Sequence, residues 1–194
     1  MTSLIGSKVE RKEDKKFLTG KGRYTADISL AHQTYAYFVR SPHARAKINK
    51  VDISKAIKSP GVVSIFTGDD IAREKIGGLI AGWKIVSQDG KDMKVPNHPP
   101  LAKDNVNYVG DHVAVVIAET LEQAKNAAEL VNVSYKVLKA VVNTGEAMNS
   151  EAIYEGIDRN LCFDFLLGDK PKTDQELSKA VSYTHLTLPT ICSV

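Results

Sequence analysis

The sequence predicts an α+β fold, and three consecutive patterns between residues 113 and 138 support that prediction. A strand pattern over 113–118 is followed by a helix and then by a strand pattern over 132–138. Thr120 and Gln123 have the spacing of a capping box, which marks the start of the helix. Apolar residues at helical spacing predict one buried helix face: Leu121, Ala124, Ala127, Ala128 and Val131.

The segments before this unit predict further short strands and two helical turns. Ser54 is positioned to cap a short turn, and Asp69 or Asp70 is positioned to cap a helix over 71–76. Glycine and proline punctuate a long loop over 77–104, which is typical of a functional or partner-binding segment. Runs rich in aromatic and β-branched residues predict strands over 34–40, 46–53, 62–67 and 107–109.

The segment after residue 140 predicts a connection followed by new structure. Residues 161–167 (LCFDFLL) predict a strand in which Cys162 is a small core residue. Thr173 and Glu176 again have capping-box spacing and predict the start of a helix.

The chain divides into four predicted regions. Residues 1–20 form a charged N-terminal arm, 21–142 an α+β domain, and 143–180 a connection with the first strand and helix of another domain. The last region, 181–194, contains no charged residue, and 181–190 resemble the translation of a sequencing adapter. We therefore expect the natural sequence to depart from this one after Ala180, which removes His185 and Cys192 from consideration as site residues.

Composition excludes several classes of protein. The 194 residues are 43% hydrophobic and 25% charged, as in globular proteins, so collagen-like and disordered chains are excluded. No apolar run reaches the roughly 18–20 residues that span a bilayer, and residues 1–20 lack a secretory signal. The 26 basic and 23 acidic residues favour neither nucleic acid nor an anionic membrane as partner. Two distant cysteines favour a reducing cytoplasm.

The residues that could carry chemistry do not assemble into a recognisable site. His43, His98 and His112 lack the spacing of metal ligands, so hydrogen bonding in turns or at the surface is the favoured role for each. Gly20 and Gly22 lack the third glycine and the preceding strand of a dinucleotide-binding turn. A hydrolase would need a nucleophile, a base and an orienting group, and no such set is found. The sequence therefore predicts no catalytic, cofactor-binding or metal-binding residue.

The order of several longer segments is more specific than any single residue. These segments are ERKEDKKFLTGKGRYTADI, YFVRSPHARAKI, PGVVSIFTGDDI, VPNHPPLAKDNVNYVGDHVAVVIAETLEQAKNAAELVNVSYKVLKAVV and NLCFDFLLGD. Together they resemble the N-terminal region of the molybdenum-binding large subunit in the xanthine dehydrogenase and aldehyde oxidase superfamily. Within it, the resemblance is strongest to the aerobic carbon monoxide dehydrogenase large chains, and it covers about residues 6–170.

The resemblance implies that 21–142 form the family's α/β hammerhead domain, truncated before the molybdopterin-binding domains that 143–180 would begin. It implies an oxidoreductase that oxidises its substrate with oxygen derived from water at a molybdopterin centre. It also implies a hetero-oligomer with a medium subunit that binds FAD and a small subunit that carries 2Fe–2S clusters. The family's catalytic residues lie beyond this chain, so we expect the chain alone to be inactive.

An alternative from another class is a stand-alone, non-catalytic α+β interaction module that ends near residue 180. A natural domain end would close the last helix with glycine or asparagine. Residues 173–180 lack such a cap, which favours the enzyme fragment.

Overall fold

The chain folds into six strands and four helices, as described by a computed structural model that covers Gly6 and residues 11–180. The predicted non-native tail, 181–194, lies outside the described residues, as does most of the first half of the predicted arm. The strands are β1 (Tyr35–Arg40), β2 (Ala46–Asp52), β3 (Val62–Thr67), β4 (Asn105–Val106), β5 (His112–Ala118) and β6 (Asn132–Val137). The helices are α1 (Asp14–Leu18), α2 (Gly68–Arg73), α3 (Leu121–Glu129) and α4 (Lys170–Lys179).

The chain forms two compact units. Among the described residues, the first unit comprises those up to Gly77 together with Pro99–Ala140, and the second comprises Gly78–His98 and those from Val141 to Ala180. All six strands belong to the first unit, in two antiparallel sheets. The first sheet has the order β1-β5-β3, and the second sheet has the order β4-β2-β6. The domain boundaries inferred from the sequence remain a prediction.

Strand β5 is the centre of the first sheet. Val116 pairs with Tyr37 on one side and with Ile65 on the other, and its side chain is fully buried. Helix α3 packs against this sheet through its buried alanines, so the predicted buried helix face is confirmed there. Leu121 is the exception, because it lies in the first turn at the margin of the face and is 43% exposed.

The capping box of α3 forms as the sequence predicts. The Gln123 amide donates to Thr120 Oγ1 at 3.2 Å, and the Thr120 amide donates to Gln123 Oε1 at 3.0 Å. These two bonds satisfy backbone donors that a helix start otherwise leaves without partners.

The predicted start of α2 was wrong. The helix begins at Gly68 with Thr67 as its cap, and Asp70 is the third residue rather than the cap. The Thr67 amide donates to the Asp70 carboxylate at 2.8 Å, and this bond lowers the pKa of Asp70. A Cβ at Gly68 would lie 2.4 Å from the carbonyl oxygen of Ala102, so a close backbone approach requires glycine at this position.

Two smaller predictions in the first unit also differ from the structure. The Ser54 side chain does not cap the short turn Ala56–Lys58; its amide instead donates to Asp52 Oδ1 at 3.0 Å. Hydrogen bonds from the side chain and backbone of Ser54 lower the pKa of Asp52 to about 2. The strand predicted over 107–109 is displaced to β4, because the Asn107 amide donates to the Asp111 carboxylate and enters a turn.

The second unit is built mostly from irregular structure. The predicted strand over 161–167 was wrong, because this segment makes isolated hydrogen bonds instead of a ladder. The Gln88 amide donates to the Asp164 carbonyl and the Lys94 amide to the Cys162 carbonyl, each at 2.9 Å. Cys162 is half-buried in this irregular segment. Tertiary hydrogen bonding therefore overrides the local β propensity of these residues.

Helix α4 starts four residues before the position predicted from the capping-box spacing, in which Thr173 would be the cap. Asp169 is its cap and accepts from the Lys172 amide at 3.0 Å. The Thr173 hydroxyl donates to the Asp169 carbonyl at 2.8 Å, so this threonine lies inside the first turn. Of the helices within the described residues, none is long and apolar enough to cross a membrane.

We predict that Ala128→Asp destabilises the first unit by about 3 kcal/mol or more, because it places a carboxylate against the apolar sheet. Ala128 is 7% exposed and belongs to the cluster around Val116. Chemical denaturation measures the change. Asn126→Asp, on the exposed side of the same helix, is the control and should leave the free energy of unfolding nearly unchanged. Equal stability of the two variants would contradict the packing of α3.

Candidate functional site

The buried polar groups of the first unit converge where β1 passes to β2. Ser41, Arg45 and Asp111 are the three buried polar or charged side chains among the described residues, with exposures of 2%, 9% and 5%. His43 and Tyr135 complete this group, which we call the polar corner. It lies between the two sheets, because β1 and β5 belong to the first sheet while β2 and β6 belong to the second.

Ser41 joins the end of β1 to the start of β5 through its backbone. Its amide donates to the Asp111 carbonyl, and its carbonyl accepts from the Gly110 amide, each at 2.8 Å. Gly110 has a φ of +92°, which is the left-handed region that favours glycine. These two bonds continue the pairing of the first sheet past the end of β1.

The Ser41 hydroxyl forms hydrogen bonds with the backbone of the turn. It accepts from the His43 amide and donates to the His43 carbonyl, each at 3.0 Å. An activated serine nucleophile instead donates to the ring nitrogen of a base. The serine and histidine of the polar corner therefore form a turn rather than a nucleophile–base pair.

Arg45 fixes the point where the chain leaves the second sheet. Its Nη1 donates to the Lys139 carbonyl at 3.2 Å, and its own carbonyl accepts from the Leu138 amide at 3.0 Å. A guanidinium bonded to backbone oxygen holds the backbone in a set direction. Arg45 therefore anchors the residues that follow β6.

Tyr135 is the residue that β6 contributes to the polar corner. Its ring contacts the His43 ring edge to face, with centroids 5.0 Å apart and an interplanar angle of 76°. Burial raises the pKa of Tyr135 because it disfavours the phenolate; the hydrogen bond with Ser41 opposes this shift and the charge of Asp111 adds to it. Tyr135 is therefore protonated at neutral pH and contributes packing and hydrogen bonding, not base chemistry.

The three histidines weighed in the sequence have different surroundings. His43 belongs to the polar corner, whereas His112 stacks on Phe38 with ring centroids 4.4 Å apart. His98 belongs to the second unit, where its carbonyl accepts from the Leu79 amide at 2.8 Å. The prediction that the chain holds no catalytic, cofactor-binding or metal-binding residue remains a prediction.

Sequence reasoning missed the polar corner as a unit. Four of its members, Ser41, Arg45, Asp111 and Tyr135, were not singled out together. The available signal was the pair of polar segments RSPHAR and GDH, each next to a strand pattern. Periodicity does not show that two such segments, far apart in sequence, meet at one buried point.

The second unit contains a cleft of about 730 Å³ lined by residues of 87–94 and 158–164. Its lysines are matched by carboxylates: Lys91 lies 3.1 Å from Asp89, and Lys94 lies 4.0 Å from Asp158. Across the part of the chain that the structure describes, no three histidine, cysteine or acidic side chains are grouped to hold a metal ion. The cleft is thus a mixed-charge surface feature without the donor set of a metal centre.

The fold and its sequence match a known domain. The family described as aldehyde oxidase and xanthine dehydrogenase, a/b hammerhead domain, matches residues 19–139. This match spans more than half of the chain and includes all six strands and the whole polar corner. The chain belongs to the aldehyde oxidase and xanthine dehydrogenase a/b hammerhead domain family.

Two curated relatives are the large subunit or the large chain of an oxidoreductase. The chain is 36% identical over 154 residues to the nicotine 6-hydroxylase large subunit of Paenarthrobacter nicotinovorans, covering 79% of this chain and 18% of that protein. It is 32% identical over 192 residues to the carbon monoxide dehydrogenase large chain of Afipia carboxidovorans, covering 91% and 22%. The chain therefore spans about a fifth of the length of these relatives.

Solved structures agree with these similarities. The Cu,Mo-CO dehydrogenase in its carbon monoxide reduced state has a TM-score of 0.69 and 30% identity, covering 90% of this chain and 22% of that one. Quinoline 2-oxidoreductase from Pseudomonas putida 86 has a TM-score of 0.67 and 35% identity, covering 76% and 18%. The hammerhead fold implied by the sequence resemblance is confirmed.

We predict that Ser41→Ala costs about 1–3 kcal/mol of stability, because the half-buried His43 amide and carbonyl lose their hydroxyl partner. Thermal or chemical unfolding measures this cost. Ser134→Ala, at an exposed position of β6, is the matched control and should cost little. A Ser41→Ala variant as stable as the control would contradict the stabilising role of the Ser41 hydroxyl in the polar corner.

We predict that Tyr135 contributes to the loss of stability at alkaline pH. The pKa of Tyr135 is raised above its ordinary value of 10.0, so its contribution is present below pH 10.0 and is lost as the pH rises through the raised pKa. The difference in unfolding free energy between the parent chain and Tyr135→Phe should therefore shrink above about pH 10. Tyr24→Phe, at a 65% exposed tyrosine, is the control. A difference that stays constant or grows with pH would contradict the burial of Tyr135.

Proposed function

We propose that this chain is the hammerhead part of the large subunit of a molybdenum hydroxylase of the carbon monoxide dehydrogenase and xanthine dehydrogenase type. The complete subunit would oxidise its substrate with oxygen derived from water at a molybdopterin centre. The observation that carries this proposal is the family match over residues 19–139. Most of this chain, 79% and 91%, also aligns with the large subunit or large chain of the two relatives.

The contribution of the chain's own residues to such an enzyme is structural. The Ser41 and Asp111 backbones join two strands of the first sheet, and Arg45 anchors the chain where it leaves the second sheet. The hydroxyl and carboxylate groups of the polar corner are bound to backbone amides. We infer that this unit supports neighbouring domains and supplies no group to the reaction.

The described residues do not fit a molybdopterin-type cofactor. A cofactor of that size needs a concave site that encloses most of its surface and offers polar partners for it. The cleft of the second unit instead presents lysines engaged with carboxylates, and the polar corner is filled by its own side chains. Other parts of the large subunit would therefore bind the cofactor.

The expected partners are the subunits that carry electrons away from the molybdenum centre. These are a medium subunit with FAD and a small subunit with 2Fe–2S clusters, assembled as a cytoplasmic hetero-oligomer. The names of relatives support a multi-subunit assembly, since they include a large subunit, a large chain and a dehydrogenase complex subunit gamma.

A molybdenum assay of the purified chain tests whether the cofactor is bound outside this part of the large subunit. We predict that the 194-residue chain, produced in a host that makes the cofactor, retains far less than stoichiometric molybdenum and oxidises no substrate, because its described residues offer no fitting site. A relative's complete large subunit, purified in parallel, is the positive control. Stoichiometric molybdenum on the 194-residue chain would overturn the structural role.

The nucleotide sequence of the source beyond codon 180 tests the assignment to a large subunit. We expect an open reading frame that continues into cofactor-binding domains, with neighbouring genes for flavin and iron–sulfur subunits. A stop codon directly after codon 180 would instead support the alternative, a stand-alone and non-catalytic α+β interaction module.

A further inference from the structure

The outer edge of β1 is an open pairing edge in the first unit. The sheet order β1-β5-β3 leaves β1 with one neighbouring strand among the described residues. Its pairing with β5 is regular from Tyr35 to Val39, and Arg40 is its sole charged residue. A regular edge strand with few charges exposes backbone donors and acceptors that can pair with another strand.

The opposite edge of the same sheet is protected. Strand β3 has an extra residue at Val63, where its register with β5 shifts between Val62 and Ser64. Such a bulge disrupts strand pairing at an edge. Strand β3 is also flanked by α2 and by the short turn Ala56–Lys58. The contrast identifies β1 as the edge available for association.

A groove runs beside β1 and is walled by helix α3. It has a volume of about 350 Å³ and is lined by Tyr37–Arg40 on the strand and by Lys125, Ala128 and Glu129 on the helix. Tyr37 and Phe38, whose side chains lie on opposite faces of β1, are 39% and 37% exposed. The groove therefore combines apolar side chains with two positive residues, Arg40 and Lys125, and one negative residue, Glu129. The Arg40 side chain is engaged by the Gly110 carbonyl, to which its Nη1 donates at 3.2 Å.

The two charged helix residues of this groove, Lys125 and Glu129, are self-complementary. Lys125 and Glu129 are exposed and lie one helical turn apart, and neither forms an ion pair within the described residues. With lysine preceding glutamate, the two residues are in the less favourable order for pairing within one helix. A two-fold axis would place Lys125 of one copy opposite Glu129 of the other, twice.

The spacing of secondary structure allows this arrangement. Helix α3 packs over β1 and β5. If two β1 strands paired at the usual ~4.8 Å, the two α3 helices would lie roughly 10 Å apart, which is the separation of packed helices. An antiparallel pairing centred on Phe38 keeps both helices on the same face of a continuous six-stranded sheet.

We propose that the edge of β1 and the adjoining side of α3 form a self-association surface. Two copies of the chain pair their β1 strands antiparallel, with Phe38 facing Phe38 of the second copy and with reciprocal Lys125–Glu129 ion pairs. The surface is isologous, so it closes as a dimer and leaves no further open edge at β1. This inference does not depend on the proposed enzymatic role.

Site-specific crosslinking tests the strand register. In the 194-residue chain with Cys162→Ala and Cys192→Ala, Phe38→Cys should form a disulfide-linked dimer on mild oxidation, because residues paired across antiparallel strands lie within disulfide range. Phe66→Cys is the matched control, since Phe66 is 40% exposed and lies on β3 of the same sheet. Crosslinking of Phe66→Cys that equals or exceeds that of Phe38→Cys overturns the proposal.

Charge reversal tests the helix contacts. Lys125→Glu and Glu129→Lys should each weaken dimerisation about tenfold in sedimentation at low salt, because each variant creates two like-charge contacts. The double variant, which exchanges the two charges, should restore the parent affinity. A parent chain that sediments as a monomer, or as larger aggregates that charge reversal leaves unchanged, overturns the proposal. Circular dichroism verifies that each variant is folded.

Discussion

The first unit depends on the backbone bonds that Ser41 makes with Gly110 and Asp111. These bonds hold the end of β1 beside the start of β5, although some seventy residues separate them in sequence. Because β2 follows β1 directly and Arg45 anchors the chain after β6, the same corner sets the position of the second sheet. The two sheets are thereby joined at a point from which water is largely excluded.

Burying polar groups at this point is tolerated because their hydrogen bonds are satisfied. Among the described residues, no buried side-chain nitrogen or oxygen lacks a partner. A satisfied polar network restricts the number of ways in which a core can pack. The corner therefore complements the apolar packing of α3 on β5, which has no directional preference of its own.

A structural role agrees with the similarity to much larger proteins. The chain spans about a fifth of its curated relatives, and its buried polar groups are engaged in holding strands together. A rigid unit of this kind can position neighbouring domains without contributing a reacting group. It can also present an open strand edge for association, as β1 does, while its core remains unaffected.

The sequence by itself determined the elements whose signals are local. The capping box at Thr120 and the period of the α3 alanines depend on residues within two helical turns, and β5 was evident as a short apolar run. Order and spacing of longer segments also indicated the family. Tertiary structure alone decided what depends on distant partners: 161–167 makes single hydrogen bonds instead of a strand, and position 68 requires glycine because the Ala102 backbone lies against it. The polar corner belongs to this second class, since Ser41 and Asp111 are distant in sequence and meet only where β1 lies beside β5, and no local pattern records that meeting.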